Sequence, residues 1–241
     1  MMFVLMGVLF LSISFVYAET VEEYFHHGLA HGKQGNFSQA ISDFTKAIAI
    51  NPNDAEAYYN RGLIYGNQGN FSQAISDFTK AIEINPKDAE AYNNRGLAYD
   101  QQSNFTQATF DYTKAIEINP KYAEAYNNRG LAYGSQGIFT QATFDYTKAI
   151  EINPKDAEAY YNRGIAYDQQ GNFLQAISDL TKAIEINPKD AEAYYNRGLA
   201  HYEEKEYDIS WADVHKADEL GCKVDSQFLE DLKKALGNEF I

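Results

Sequence analysis

Residues 55–88 read AEAYYNRGLIYGNQGNFSQAISDFTKAIEINPKD, and this stretch decides the fold. Asp54 precedes it, so its carboxylate can cap the first turn of a helix, and Glu56 follows near the positive end of the helix dipole. Tyr58, Gly62 and Tyr65 fall at i, i+4 and i+7, which is one helical stripe. Gly69 breaks the chain into a short turn. A second amphipathic run follows, with Ala74, Ile75, Phe78, Ala81 and Ile82 on one face. Asn85-Pro86 ends it, because proline cannot continue a helix and pushes the residue before it out of the helical region. The stretch is therefore helix, turn, helix. Small residues at 62, 74 and 81 let the two helices approach, and Tyr58, Tyr65 and Phe78 fill the space between.

The same landmarks recur along the chain. Pro52, Pro86, Pro120, Pro154 and Pro188 are the whole proline complement, each preceded by Asn and each 34 residues after the last. Gly28, Gly62, Gly96, Gly130, Gly164 and Gly198 keep the same step. One such helix pair cannot bury its apolar face alone, so the units must stack.

This pattern resembles the tetratricopeptide repeat (TPR) family. The residues that carry the likeness are the aromatic–x3–Gly–x2–Tyr of the first helix, the Ala–x3–Phe–x2–Ala of the second and the closing Pro. Six units follow: 21–54, 55–88, 89–122, 123–156, 157–190 and 191–224. The resemblance implies an all-α, right-handed solenoid. The sixth unit departs from the pattern, with His201, Ser210, Val214 and Cys222 in place of Tyr, Ala, Phe and Pro, as a terminal repeat facing solvent does. Residues 225–241 then read as a closing helix, capped by Asp225-Ser226 and presenting Phe228, Leu229, Leu232 and Leu236.

Composition narrows the function. Lys and Arg number 20 against 34 Asp and Glu, a net charge of −14, which argues against a nucleic-acid partner. A single Cys excludes an internal disulfide framework, and Cys222 reads as a small residue buried in a tight turn. Residues 2–17 carry no charge, and Val16-Tyr17-Ala18 at the end of the run is followed by Glu19. A signal peptide over 1–18, cut after Ala18, is the expectation, placing the chain in a periplasm or outside the cell. The alternative is an uncleaved membrane anchor at 2–17, which is the only membrane contact the sequence offers. Outside this leader and the repeats too little chain remains for a catalytic domain, and neither a phosphate loop nor a nucleophile elbow is present. The chain reads as a non-enzyme with no cofactor and no small-molecule substrate.

Three local features invite chemistry. His27 and His31 lie one turn apart and could share a metal, but they occupy the slots of Arg61 and Tyr65 one unit later, where packing is expected. No metal site is therefore assigned. Asn36, Asn70 and Asn104 each begin an Asn-x-Ser/Thr glycan acceptor at a turn, a pattern the turn itself also favours. Arg61, Arg95, Arg129, Arg163 and Arg197 are each followed 16 residues on by Asp77, Asp111, Asp145, Asp179 and Asp213, which predicts a structural ion pair inside each unit.

A ligand is expected on the stripe of the first helix that the core does not use, Glu56, Tyr59, Asn60, Leu63 and Asn67 in the second unit. By the family resemblance this stripe lines a concave groove. Asn60, Asn94, Asn128, Asn162 and Asn196 form a row there, and a primary amide can both donate to and accept from a peptide backbone. Beside them stand Tyr59, Asn93, Asn127, Tyr161 and Tyr195. Glu56, Glu90, Glu124, Glu158 and Glu192 edge the surface and favour a neutral to basic protein or peptide. The chaperone-binding TPR subgroup uses Lys and Arg to clamp a terminal carboxylate, and Glu stands here where one of those Lys would be. Units three and four share FTQATFDYTKAIEINPK, at 105–121 and 139–155, a mark of duplication. The sequence thus reads as a scaffold that binds an extended polypeptide outside the cytoplasm. A membrane-anchored assembly factor and a substrate-recruiting subunit of a larger enzyme are the alternatives.

Overall fold

The computed structural model describes residues 20–237. The leader assigned to 1–18 and the last four residues of the closing segment lie outside the described residues. Among those described, the chain is helical throughout. The helices come in pairs: α1 Val21–Lys33 with α2 Phe37–Ile50, α3 Ala55–Asn67 with α4 Phe71–Ile84, and α5 Ala89–Gln101 with α6 Phe105–Ile118. Next come α7 Ala123–Ser135 with α8 Phe139–Ile152, α9 Ala157–Asp168 with α10 Phe173–Ile186, and α11 Ala191–Glu203 with α12 Tyr207–Glu219. A single helix, α13 Ser226–Ala235, closes the array.

Local chemistry sets each boundary. Asp54, Asp88 and Asp190 accept the backbone N–H three residues on, at 3.0–3.1 Å, and so cap α3, α5 and α11. Thr20 and Glu23 form a reciprocal capping box on α1. The turn inside most units needs a left-handed residue, supplied by Gly35, Gly69, Gly137 and Gly171 at φ +73° to +76°. Units three and six place Ser103 (φ 58°) and Lys205 (φ 65°) there instead, at a cost in backbone strain. The second helices stop at Asn85, Asn119, Asn153 and Asn187, whose backbones are swung out of the helical region ahead of each proline.

Packing repeats with the sequence. A Cβ added to Gly62 would lie 2.8 Å from the Phe78 ring, and one on Gly96 or Gly130 would lie 2.7 or 2.6 Å from Tyr112 or Tyr146. Only glycine lets the paired helices close on these rings. Ala40, Ala74, Ala108, Ala142 and Ala176 are fully buried in the same seams. Each helix packs on its sequence neighbours, and α1, α3, α5, α7, α9 and α11 also touch one another in succession. The result is a two-layer solenoid whose inner layer is the odd-numbered helices. At its end α13, capped by Asp225, buries Leu232 completely.

Candidate peptide groove

The inner helices present the stripe expected from sequence. Glu56, Glu90, Glu124, Glu158 and Glu192 are exposed, and Asn60, Asn94, Asn128, Asn162 and Asn196 are half-buried beside them. The asparagine row is wired into the solenoid. Asn94 donates to the Tyr59 hydroxyl at 3.1 Å and to the Glu90 carbonyl at 2.9 Å. Asn128 donates to the Asn93 side-chain oxygen at 3.1 Å, Asn162 to that of Asn127 at 3.3 Å, and Asn196 to the Tyr161 hydroxyl at 3.1 Å. These four amides thus reach back to the preceding repeat, 35 residues away in sequence, whereas Asn60 donates to the Glu56 carbonyl of its own helix at 2.8 Å. From sequence, each amide was free to donate to and accept from a guest. The structure spends the donor side on repeat stacking, and the amide oxygens of Asn94 and Asn196 take no part in these bonds.

Asn93 and Asn127, expected on the groove surface, are instead interior. Asn93 is fully buried and Asn127 is 8% exposed. Asn93 donates to the Glu124 carboxylate at 3.2 Å while accepting from Asn128. Tyr122 stands where Asp54, Asp88, Asp156 and Asp190 cap the inner helices of units two, three, five and six, and its side chain bonds Asn93. Burial, with Glu124 and Glu90 nearby, pushes its hydroxyl up to about 12, and a bond with Asn93 pulls the other way. Tyr59 and Tyr161 remain half-exposed and donate to Glu90 and Glu192 at 3.4 and 3.3 Å. Tyr195 is likewise half-exposed, and its ring packs edge-on against Phe228 of α13, 6.3 Å between centroids.

The five arginines sit at 2.6–2.8 Å from their aspartates, two parallel bonds each. Bidentate pairing of this kind suits a guanidinium held in a nearly dry seam. Each arginine makes a third contact that sequence reasoning missed. Arg61, Arg95, Arg129, Arg163 and Arg197 donate to Thr45, Thr79, Thr113, Thr147 and Thr181 of the preceding unit, at 2.8–3.1 Å. The signal was present, since these threonines keep the 34-residue step. The last unit has no successor, and His215 stands in the threonine slot. The first unit has no predecessor, and its Asp43 bonds His31 at 2.9 Å with Lys46 at 3.5 Å. His31 is thereby a packing partner.

Open space remains between adjacent inner helices. One apolar cleft lies between units two and three, lined by Leu63, Asn67, Phe71, Asn94, Leu97 and Gln101. A second lies between units four and five, lined by Leu131, Ser135, Phe139, Tyr161, Asn162 and Ile165. These positions correspond with a shift of two repeats. Among the inner helices of units two to five the only cations are the arginines already paired with aspartate, so the surface carries uncompensated carboxylates.

Elsewhere the chemistry is sparse. Among the described residues no three His, Cys, Asp or Glu side chains gather in a way that could hold a metal ion. Cys222 is partly exposed, with its thiol raised by burial, and its backbone N–H closes the turn onto the Ala217 carbonyl at 2.9 Å. Asn36, Asn70 and Asn104 are exposed at the starts of α2, α4 and α6. No described helix is long and apolar enough to cross a membrane.

Stacked helix pairs with a 34-residue period and an open inner face define a helical-repeat solenoid. The tetratricopeptide repeat model matches residues 55–88, 89–122, 123–156 and 157–190, and two further TPR models match 28–69 and 180–212. The chain belongs to the tetratricopeptide repeat family. Among solved structures it is similar to the MamA protein, at 32% identity and a TM-score of 0.67 over 72% of this chain and 95% of that one. It also shares the fold of YrrB, described as a TPR protein with an unusual peptide-binding site, at 24% identity and a TM-score of 0.67 over 79% of this chain and 97% of that one. PilF of Pseudomonas aeruginosa superposes with a TM-score of 0.74 at 17% identity, over 88% of this chain and 96% of that one. A comparison with curated proteins found no match.

Proposed function

We propose that this chain is a non-enzymatic scaffold that binds an extended polypeptide along the inner helices α3, α5, α7 and α9, outside the cytoplasm. The observation that carries the reading is the pair of apolar clefts on the inner layer, bordered by half-exposed asparagines and unopposed glutamates. Such a surface suits apolar anchors and a neutral to basic chain. MamA and YrrB share the fold, and the peptide-binding site described for YrrB supports a binding role on the same scaffold. The uncharged run at 2–17, with Val16-Tyr17-Ala18 at its end, supports export.

A photoreactive residue at Leu97, on the cleft wall, is expected to crosslink a polypeptide in the native host. The same residue at Lys80, on the outer helix α4, is the control. Equal labelling from both positions would overturn the groove assignment. The mass of the mature chain tests the export half of the reading. A start at Glu19 supports secretion, and an intact N-terminus recovered with membranes supports the anchored form instead.

A further inference from the structure

The position that opens each cleft changes identity from unit to unit. Gly66 lies in the wall of the first cleft and Gly134 in that of the second. A Cβ on Gly66 would meet nothing within 4 Å, and one on Gly134 only the Tyr146 hydroxyl at 3.9 Å. The first unit has Gly32 at this position, but there the Ile64 side chain fills the space, 3.1 Å from where a Cβ would stand. Unit three, between the two clefts, carries Asp100. This carboxyl is partly exposed, and its Oδ1 is buried without any hydrogen-bond partner. That oxygen is out of a guest's reach, turned inward on the side of the buried Tyr112, so only the outer part of the carboxyl, midway between two matched clefts, can take a countercharge from outside the chain. No unpaired cation of units two to five stands on the inner face to supply it.

We propose that units two to four read an order of side chains in the bound polypeptide: an apolar residue at Gly66, a Lys or Arg at Asp100, and a second apolar residue at Gly134. This deepens the groove reading above and rests on it. Neighbouring packed helices lie ~8–10 Å apart, so two units separate the clefts by roughly 20 Å, or about six residues of extended chain. Side chains of an extended peptide return to the same face every second residue. The matching ligand therefore has apolar residues at i and i+6, with a basic residue at i+2 or i+4. A long basic side chain lays its methylenes on the apolar wall and delivers its charge to the carboxylate. The flanking Glu90, Glu124 and Glu158 add attraction of the same sign along the row.

The test is fluorescence anisotropy with labelled peptides carrying the core Leu-Thr-Lys-Thr-Lys-Ser-Leu, and with a scrambled peptide of equal composition. Wild-type protein is expected to bind the ordered peptide at least tenfold more tightly than the scrambled one. Asp100→Asn is expected to remove most of that preference, and to have no effect on a peptide whose two Lys are Gln. Glu83→Gln on the outer face, which makes the same change in net charge, is expected to leave binding intact. Gly66→Leu and Gly134→Leu, which fill the clefts with a good helix former, are each expected to weaken binding severalfold with the melting temperature retained. Equal binding of ordered and scrambled peptides, or equal losses in Asp100→Asn and Glu83→Gln, overturns the order while leaving the groove reading in place. Failure of every peptide to bind the wild-type protein overturns both.

Discussion

At the scale of single residues, the informative positions are those where one repeat breaks the pattern of the others. Asp100 stands where units one, two and four carry Gly32, Gly66 and Gly134, a change that unit five repeats with Asp168, and burial holds its carboxyl above the ordinary range. A carboxyl raised on folding is harmless while protonated and becomes a penalty as pH rises through its folded value. Asp100→Asn is therefore expected to stabilise the protein by about 1 kcal/mol at pH 7, with the gain vanishing below about pH 4. Thermal melts across pH check this, and a gain that grows on acidification would contradict it. Ser103 breaks the pattern in another way, holding a left-handed backbone where four other units use glycine. Ser103→Gly is expected to raise stability by about 0.5–1 kcal/mol, read from the urea midpoint. Both positions stand out once the repeats are aligned by their 34-residue step. The sequence shows that they differ but not what each faces, because the facing atoms belong to a neighbouring helix.

At the scale of the helix pair and its seam, the Arg–Asp–Thr clamp joins three helices. In unit four the Arg129 side chain is 14% exposed and that of Asp145 is 1% exposed. Burial raises Asp145, and the charge and hydrogen bonds of Arg129 oppose the shift without cancelling it. Removing one partner strands the other charge in a dry seam. Asp145→Ala is expected to cost about 3 kcal/mol, and the double change Arg129→Met with Asp145→Leu to cost much less. Chemical denaturation of both variants decides, and equal losses would show that the pair is not what holds the seam. The ion pair was legible, since the spacing of 16 residues is the same in five units. The threonine was not read, because a hydroxyl contributes no apolar signal and its bond crosses from one unit to the next. Helix contact itself depends on glycine. Gly130→Ala would drive a methyl to 2.6 Å from the Tyr146 ring and is expected to cost about 1–3 kcal/mol.

At the scale of the whole molecule, the two ends are treated differently from the middle. The first unit lacks the arginine, the last lacks the threonine, and α13 lays Phe228 on Tyr195 and Tyr202, with ring centroids 6.3 and 5.2 Å apart. A chain ending at Val224 exposes those rings and loses the burial of Leu232. It is expected to melt lower and to self-associate, as measured by calorimetry and light scattering. The internal units lose less, because each keeps a neighbour on both sides. The same logic explains α13: at the last unit it covers apolar surface, burying Leu232 and packing Phe228 on Tyr202.

The sequence alone determined the repeat, the helix boundaries and the pairing of each arginine with its aspartate. All three depend on contacts inside one 34-residue unit, where turn length and helical phase fix which side chains meet. It also placed the candidate stripe on the inner helices, because helical periodicity is a local property. Only the tertiary structure decided which members of that stripe stay exposed. Asn93 is fully buried and Tyr195 packs against Phe228, while Asn94, Asn128, Asn162 and Asn196 donate to the repeat before. Those outcomes depend on how far one unit is rotated against the next, and that rotation is set by side chains packing across the seam rather than by the pattern within either unit.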